Sequence, residues 1–265
     1  MPRLSIIIPT YNSSETILEA LRSIQNQTFQ DLEVLVMDGE SQDTTVALVD
    51  KFKIDYPKIT CHVQQDDGVY DAMNKAIPLA NGEYLYFFGS DDVLENPEVL
   101  EQVFSEIAGF DFLYGNVKFK KSGEIYSGKS SYKKLVYQQI SICHQAIFYS
   151  KRVFDLVGNY NTKYFIHADH DLNIRCFEND EIKIKYIENV IAIFNEMGLS
   201  GVNSNKDGYR NDLTNKIVQS NKLLTQIVYE RDTLKEEVQA LRNSKSFKLG
   251  NWLLKPFSFL KSRTK

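Results

Sequence analysis

The chain has 265 residues, enough for one large α/β domain or two small ones. Hydrophobic residues make up 43% and charged residues 25% of the chain, as in ordinary globular proteins, and a net charge of −4 disfavours a general nucleic-acid binder. Three widely spaced cysteines indicate neither a disulfide framework nor a zinc site. We recognise no signal peptide and no apolar stretch of membrane-spanning length, so we expect a cytoplasmic protein.

Strands and helices alternate along the first hundred residues. The apolar run at residues 4–8 predicts a first buried strand, which Pro9 ends. Further apolar runs predict strands at residues 32–37, 59–63 and 84–88. Amphipathic segments and caps predict helices from Ser13 or Ser14 to about residue 25, then up to about residue 52, and at residues 69–79. This order predicts a Rossmann-type α/β fold with a mostly parallel sheet flanked by helices and with right-handed crossovers.

The pattern changes after a helix predicted near residues 97–107. Alternating residues predict two strands that enclose the turn at residues 121–123, which favours a mixed or antiparallel arrangement. We expect a loop at residues 128–142. The remaining elements predicted in this part are a strand at 145–149, helices at 151–157 and 172–177, and a strand at 182–193.

The composition changes again near residue 206. Residues 211–242 lack glycine and proline, and apolar residues recur at a period close to 3.5. They are Leu213, Ile217, Leu224, Ile227, Leu234, Val238 and Leu241. This spacing predicts a coiled-coil-like helix that self-associates, and a helix packed back on its own domain is the alternative. We therefore divide the chain into a domain at 1–205, a helix at 206–242 and a tail at 243–265.

The tail is basic and apolar at once. From residue 241 onward there are seven basic residues and no acidic one, with Phe247, Trp252 and Phe257 among the aromatic residues between them. Such a segment predicts a peripheral anchor at the inner face of the cell membrane. A disordered basic tail is the alternative, although the apolar content disfavours it.

Two predicted strands end in acidic residues. The strand at 84–88 leads through Gly89 and Ser90 to Asp91 and Asp92, and the strand at 32–37 leads to Asp38. Ligands of open α/β sheets bind at the carboxyl ends of strands, and carboxylates with nucleotide phosphates are the ligands that Mg²⁺ or Mn²⁺ prefers. No Gly-rich phosphate loop is present, which disfavours an ATPase, a dinucleotide enzyme or a nucleotidyltransferase. Asp92 as the N-cap of the next helix is the alternative.

Seven short motifs resemble family 2 glycosyltransferases of the GT-A fold, in the branch that makes bacterial polysaccharides. They are SIIIPTYN at 5–12, MDGESQDT at 37–44, GVYDAMNKAI at 68–77, ANGE at 80–83, SDD at 90–92, CHQA at 143–146 and ADHDL at 168–172. Each motif is weak alone, but the ordered set is specific and covers about residues 3–202. The helix and the basic tail lie outside the resemblance.

The resemblance implies a nucleotide-sugar site. Pro9, Thr10, Tyr11 and Asp38 match positions that hold the nucleoside, with Asp38 facing the base. The positions expected to flank the nucleotide sugar are Asp66, Asn74 and Ser90.

The resemblance also implies a site for Mn²⁺ or Mg²⁺. Asp91 matches the last acid of the Asp-x-Asp metal motif, whose first acid is replaced here by Gly89. We therefore expect a site built mainly on one carboxylate, with Asp92 as a weaker ligand. A bound cation would stabilise the departing diphosphate.

The last matching motif supplies the catalytic base. Asp169 matches the residue that removes the acceptor proton in inverting members, and we expect its pKa to be raised by Asp171 and partial burial. Asp171 lies on the acceptor side or orients the helix that follows. His144 is expected to touch the acceptor or the diphosphate, whereas structural roles fit His167 and His170 better.

These assignments predict an inverting glycosyltransferase. It would move a sugar from a nucleotide donor, with a preference for UDP-sugars, to a glycan or lipid-linked acceptor of a cell-surface polysaccharide. The alternative is a catalytically weak protein that binds nucleotide sugars and assembles partner transferases, which Gly89 and the predicted coiled coil would suit.

Overall fold

The computed structural model describes residues 1–195 and 208–243, and the chain divides into two compact units, Met1–Arg210 and Asn211–Lys265. The strands are β1 (Leu4–Thr10), β2 (Leu32–Asp38), β3 (Ile59–Val63), β4 (Tyr84–Phe87), β5 (Val93–Leu94), β6 (Phe112–Phe119), β7 (Ile125–Tyr126), β8 (Ile147–Ser150) and β9 (Ile184–Phe194). The helices are α1 (Ile17–Gln25), α2 (Thr45–Asp55), α3 (Val69–Ala76), α4 (Val99–Glu106), α5 (Tyr132–Tyr137), α6 (Lys151–Val157), α7 (Ala168–Glu178) and α8 (Tyr209–Asn243).

All the strands belong to one sheet in the order β3-β2-β1-β4-β8-β6-β9-β5, and β7 pairs with the edge of β6. The pairs formed by β1, β2, β3 and β4 are parallel, as the alternation of strands and helices predicts. Strand β8 is antiparallel to both β4 and β6, whereas β6 and β9 are parallel. The predicted α/β class, with a mixed second half, is confirmed.

The central strands are buried on both faces. All seven residues of β1 and all four of β4 are buried, which explains why these segments read as unbroken apolar runs. Next to them, the rings of Tyr86 and Phe148 stack with centroids 4.4 Å apart and join β4 to β8. An aromatic pair of this kind contributes about 1 kcal/mol beyond its buried area.

A close approach at Gly82 fixes β4 against β1. A side chain at Gly82 would overlap the backbone of Ser5 and lie 2.7 Å from the Leu4 carbonyl carbon, so only glycine fits here. The Gly82 N–H donates to Ser5 Oγ at 2.8 Å, and Ser5 Oγ donates to Glu33 at 2.6 Å. These bonds join β1, β2 and the start of β4 at one end of the sheet, and so align the opposite, carboxyl ends.

Several local predictions need correction. The segment 128–142, expected as a loop, contains α5, whose N-cap Ser131 accepts a hydrogen bond from the Lys134 N–H. The Asp92 cap alternative is wrong, because α4 begins at Val99 and Asp92 instead precedes β5, which the sequence did not predict. Helix α7 begins at Ala168, four residues before the predicted start.

One further expectation, the membrane anchor, concerns the segment 244–265, which lies outside the described residues. Among the helices in the described part of the chain, none combines the length and the apolar character needed to cross a membrane.

Candidate active site

The carboxyl ends of β1, β2 and β4 lie at one edge of the sheet and open into a cavity of about 930 Å³. The register brings Thr10 next to Asp38, and the pairing of β4 with β1 ends three residues earlier, at Ile7 and Phe87. The segments that follow all three strands line the cavity. A site at this position is the one expected for an open α/β sheet.

The turn after β1 forms the first wall. Pro9, Thr10 and Tyr11 line the cavity, as the nucleoside prediction requires, and Tyr11 is 61% exposed. The next residue, Asn12, has a φ of +48° and its Oδ1 accepts a hydrogen bond from the Gln42 N–H at 2.8 Å. Thr10 Oγ1 is buried and has no hydrogen-bond partner among the described residues, so it can bond to a ligand.

Asp38 shapes the second wall from behind. It is 1% exposed, and its two oxygens accept hydrogen bonds from the backbone N–H and the hydroxyl of Ser41 at 2.8 and 2.6 Å. The cavity wall itself is formed here by Gly39 and Glu40. Direct contact of Asp38 with a base therefore stays a prediction, whereas its role in holding this turn is observed.

The two other predicted flanking residues have different positions. Asp66 lines the cavity beside Gly39, where a side chain would lie 2.7 Å from Asp66 Oδ2. Asn74 does not belong to the described cavity wall. Its side-chain Nδ2 donates to the Tyr160 carbonyl oxygen at 2.9 Å, and its Oδ1 accepts a hydrogen bond from the Tyr160 N–H at 3.0 Å. These bonds attach the segment before α7 to α3.

The predicted metal-binding segment forms the third wall. Ser90, Asp91 and Asp92 all line the cavity, and Ser90 Oγ lies 3.0 Å from Ser13 Oγ. Asn195, just after β9, donates from its side chain to Asp91 Oδ2 and from its backbone to Asp92 Oδ1, each at 2.9 Å. The pairing of β5 with β9 thus holds both acids in place.

Asp92 fills the space that a side chain at Gly89 would need. A Cβ atom at Gly89 would overlap Asp92 Oδ2 and lie 3.0 Å from Asp91 Oδ1. Asp92 Oδ2 accepts no hydrogen bond from the described residues. The missing acid at position 89 is therefore compensated in space by the second acid of the pair.

The pKa of Asp92 is raised to about 6, mainly by burial and next by the negative charge of Asp91. The hydrogen bond from the Asn195 backbone, the charge of His144 and the side chain of Gln145 lower this pKa by smaller amounts. A buried, partly unpaired carboxylate of this kind favours a bound cation.

His144 lines the cavity and pairs with Asp169, which is not among the described residues of the cavity wall. His144, in a short 3₁₀ turn at His144–Ala146, lines the cavity, and its Nδ1 lies 3.7 Å from Asp169 Oδ2. Asp169, in the first turn of α7, has a side chain that is 13% exposed and accepts a hydrogen bond from the His170 N–H at 2.7 Å. The fold therefore brings the predicted base, Asp169, close to His144, the histidine predicted on the acceptor side.

The expected rise in the pKa of Asp169 is wrong. Burial by itself raises the pKa, but the neighbouring His144, with the charge and the backbone N–H of His170, lowers it by more, and the net shift is downward. Asp171 points elsewhere, because its Oδ2 accepts a hydrogen bond from Arg175 Nε at 2.9 Å. Asp169 is thus held in its ionised form.

The remaining charged residues of α7 have structural contacts. Arg175 also donates to the carbonyls of Gly158 and Asn159, so the Asp171–Arg175 pair fastens α7 to the end of α6. His170 is buried, with Nε2 3.0 Å from the Leu135 carbonyl oxygen, and burial lowers its pKa. The His167 ring stacks on Tyr209 at 5.3 Å.

The cavity is acidic. Its described lining contains five carboxylates and neither lysine nor arginine; the acids are Glu15, Glu40, Asp66, Asp91 and Asp92. A diphosphate in such surroundings requires a cation to offset the repulsion. No group of three or more His, Cys, Asp or Glu residues in the described part could hold a metal alone, so a metal would take its other ligands from phosphate and water.

Sequence reasoning missed Ser13, Gln145 and the pairing role of Asn195. Ser13 directly follows the recognised motif and could have been found from that position. Asn195 lies 103 residues beyond Asp92, and only the β5–β9 pairing brings it close.

The comparisons with known proteins agree with this geometry. The family model described as "Glycosyl transferase family 2" matches residues 5–155. A protein of Mycobacterium bovis named PGL/p-HBAD biosynthesis glycosyltransferase is 38% identical over 201 residues, which cover 74% of this chain and 78% of that protein.

Two solved structures share the fold. Staphylococcus aureus TarS (residues 1–349), in complex with UDP-GlcNAc, matches with a TM-score of 0.62 and 22% identity, covering 77% of this chain and 61% of that one. The mannosyltransferase PcManGT from Pyrobaculum calidifontis, in complex with GDP-Man and Mn²⁺, matches with a TM-score of 0.59 and 20% identity, covering 73% and 56%. The chain therefore belongs to glycosyl transferase family 2, and it is a glycosyltransferase with a GT-A fold.

Proposed function

We propose that the protein transfers a sugar, with inversion, from a nucleotide-sugar donor to a hydroxyl of a glycan or lipid-linked acceptor in the synthesis of a cell-surface polysaccharide. The observation that carries this proposal is the acidic cavity at the carboxyl ends of β1, β2 and β4, with an ionised Asp169 next to the cavity residue His144. A preference for UDP-sugars agrees with the nucleotide bound to TarS.

The donor would lie along the first two walls. Pro9, Thr10 and Tyr11 would contact the nucleoside, and Thr10 Oγ1 offers an unused hydroxyl. Asp66 and Ser90 are placed to contact ribose or sugar hydroxyls. Asp38 would act mainly by fixing the turn that carries Gly39.

Asp91 and Asp92 would hold Mn²⁺ or Mg²⁺ together with the diphosphate. The fit of these residues to a hard cation rests on two adjacent carboxylates and on the unpartnered Asp92 Oδ2. When bound, the cation supplies charge neutralisation to the departing diphosphate. Because Asp92 fills the space beside Gly89, we infer that both acids contribute.

Asp169 would act as the base. The acceptor oxygen forms a bond to the anomeric carbon while the bond to the diphosphate oxygen breaks, and the hydroxyl proton passes to the Asp169 carboxylate. One displacement of this kind inverts the anomeric centre. His144 contacts Asp169 and lines the cavity, where it can orient the carboxylate or contact the acceptor.

Calorimetric titration with UDP and GDP, each with and without Mn²⁺, tests the donor site. We expect one nucleotide to bind at least tenfold more tightly with Mn²⁺, because the cavity is acidic. Asp91→Asn should weaken the metal-dependent binding by about tenfold. Asp50→Asn, on the exposed side of α2, is the matched control.

Binding that is equal with and without Mn²⁺ would show that the metal proposal is wrong. Failure of both nucleotides to bind would instead favour another nucleotide or a protein without transferase turnover.

Asp169→Asn tests the base. We expect transfer to fall by about 10²–10⁴-fold, while the donor dissociation constant changes little, because the amide cannot accept the proton. Asp180→Asn, just beyond α7, keeps the same change in charge and should leave transfer near normal. Near-normal transfer by a folded Asp169→Asn protein would refute the assignment, and binding without turnover by the native chain would favour the assembly-protein alternative.

The buried Asp92 predicts an unusual pH dependence of stability. Its pKa is about 6 in the folded protein and near 4 when unfolded, so the folded state keeps a proton that the unfolded state releases between these values. Stability should therefore fall as the pH rises from about 4 to 6, by at most about 3 kcal/mol.

The variant Asp92→Asn should lose this dependence. Urea unfolding in EDTA at pH 4.5 and pH 8 measures it, and the free energy of unfolding of the variant relative to the native protein should increase towards pH 8. A pH-independent difference between the two proteins would contradict the buried, uncompensated carboxylate.

The tail at 243–265 supports peripheral attachment to an anionic membrane, where a lipid-linked acceptor would be presented. We expect the full chain to sediment with vesicles that contain anionic lipid and not with neutral ones. A version truncated near residue 241 should remain in the supernatant. Identical behaviour of the two proteins would contradict the anchor. We also propose self-association through residues 211–242.

A further inference from the structure

Helix α8 carries an exposed apolar stripe. Alternating steps of three and four residues connect its members from Ile217 to Val238; they are Ile217, Ser220, Leu224, Ile227, Arg231, Leu234 and Val238. Leu224, Ile227 and Leu234 are 61%, 54% and 59% exposed. Removal of such apolar side chains from water is favourable, so this face is suited to a partner helix. We call these seven residues the seam.

We propose that the seam pairs with the seam of a second copy of this chain, as a parallel, in-register, two-stranded coiled coil. This builds on the self-association proposed above and adds its orientation and register. The residues that flank the seam indicate that the partner is a second copy of this chain. In a coiled coil the flanking residues of the two helices contact each other across the seam, and here they are complementary.

In a parallel pair, a residue on one flank faces the residue about five positions later on the other flank of its partner. Leu223 then faces Val228, and these side chains are 60% and 41% exposed. Glu230 faces Lys235, which is an opposite charge. Because both copies make each contact, every dimer gains two apolar pairs and two ion pairs.

An antiparallel pair gives less favourable contacts between the flanking residues. We consider the alignment in which Arg231 lies opposite Ser220 of the partner. Lys216 then forms an ion pair with Glu237, but Glu230 faces the apolar Leu223. The same alignment sets Val238 against Leu213, which is only 6% exposed. The parallel arrangement of the seam does not use Leu213, and all its side chains are exposed except Ile217, which is half-buried.

Arg231 serves to select the register. A single charged residue in an apolar seam costs stability, but it specifies alignment and favours two strands over three. In the parallel register Arg231 faces Arg231 of the other copy, and Glu230 of the other copy lies next to it and offsets the repulsion. A shift by one heptad would place Arg231 against Leu224 or Val238 instead.

The parallel orientation has a consequence for the anchor. The two helices end at the same end of the dimer, at Asn243, and six basic residues follow in the sequence of each chain. If the membrane attachment proposed above is correct, the dimer binds anionic vesicles bivalently and more tightly than a monomer.

Cysteine cross-linking of the full chain tests the orientation. Ile227→Cys and Leu234→Cys are made separately, and each should form a disulfide-linked dimer under mild oxidation, because equal seam positions face each other in a parallel register. Tyr229→Cys, on the opposite face and 72% exposed, should remain monomeric on a non-reducing gel. The native chain, with Cys61, Cys143 and Cys176, gives the background.

The two seam positions discriminate between arrangements. They lie about 10 Å apart along the helix, and a disulfide needs Cα atoms within about 7 Å. If an antiparallel pair placed one cysteine beside its copy, the other would be about 20 Å from its own. Cross-linking at both sites supports the proposal, whereas cross-linking at one site or at neither overturns it.

Exchange of the charges at Glu230 and Lys235 tests the predicted contacts between flanking residues independently of the cross-linking. Glu230→Lys should weaken the dimer by about fivefold to tenfold in sedimentation equilibrium, because it replaces two ion pairs with two repulsions. Adding Lys235→Glu should restore the native dissociation constant, and Glu236→Lys, away from the seam, should change it little. A monomeric native chain would overturn both self-association and this register, whereas a dimer that the double variant fails to restore would overturn the parallel register alone.

Discussion

The parallel register of β1 with its neighbours β2 and β4 is the constraint on which the site depends. Because all three strands run in the same direction, the segments after Thr10, Asp38 and Phe87 must meet at one edge. The alignment is fixed at the other end of the sheet, where Gly82 lies against the backbone of Ser5. A shift of β4 by one residue would exchange the side chains between its two buried faces and move Asp91 away from the turn after β1.

The cavity that results concentrates negative charge. Burial of Asp92 next to Asp91 is unfavourable in the absence of a counter-ion, as the raised pKa of Asp92 indicates. The protein tolerates this because Asn195 donates a hydrogen bond to each of the two acids. A cation would offset this concentration of negative charge, which agrees with the proposed binding of a nucleotide diphosphate together with a metal.

The sequence predicted the parts of the site that depend on local order. Asp91 and Asp92 could be placed because an apolar strand ends directly before them, and strand ends of a parallel sheet converge. The contribution of Asn195 could not be predicted, because it follows a strand that pairs with the two-residue β5, too short to recognise. The downward pKa shift of Asp169 was missed for a similar reason, since His144 comes from a distant 3₁₀ turn.

Two carboxylates of one site have opposite electrostatic surroundings, and this separates their proposed roles. Asp92 lies next to another acid and its pKa is raised, so it gains most from a cation. Asp169 lies next to two histidines and its pKa is lowered, so it remains ionised and ready to accept a proton at neutral pH. A metal held near Asp169 would compete with the acceptor proton, whereas a metal held by Asp91 and Asp92 would leave the base free. The fold separates the two proposed functions, because one acid follows the end of β4 and the other lies at the start of α7, where it contacts the cavity residue His144.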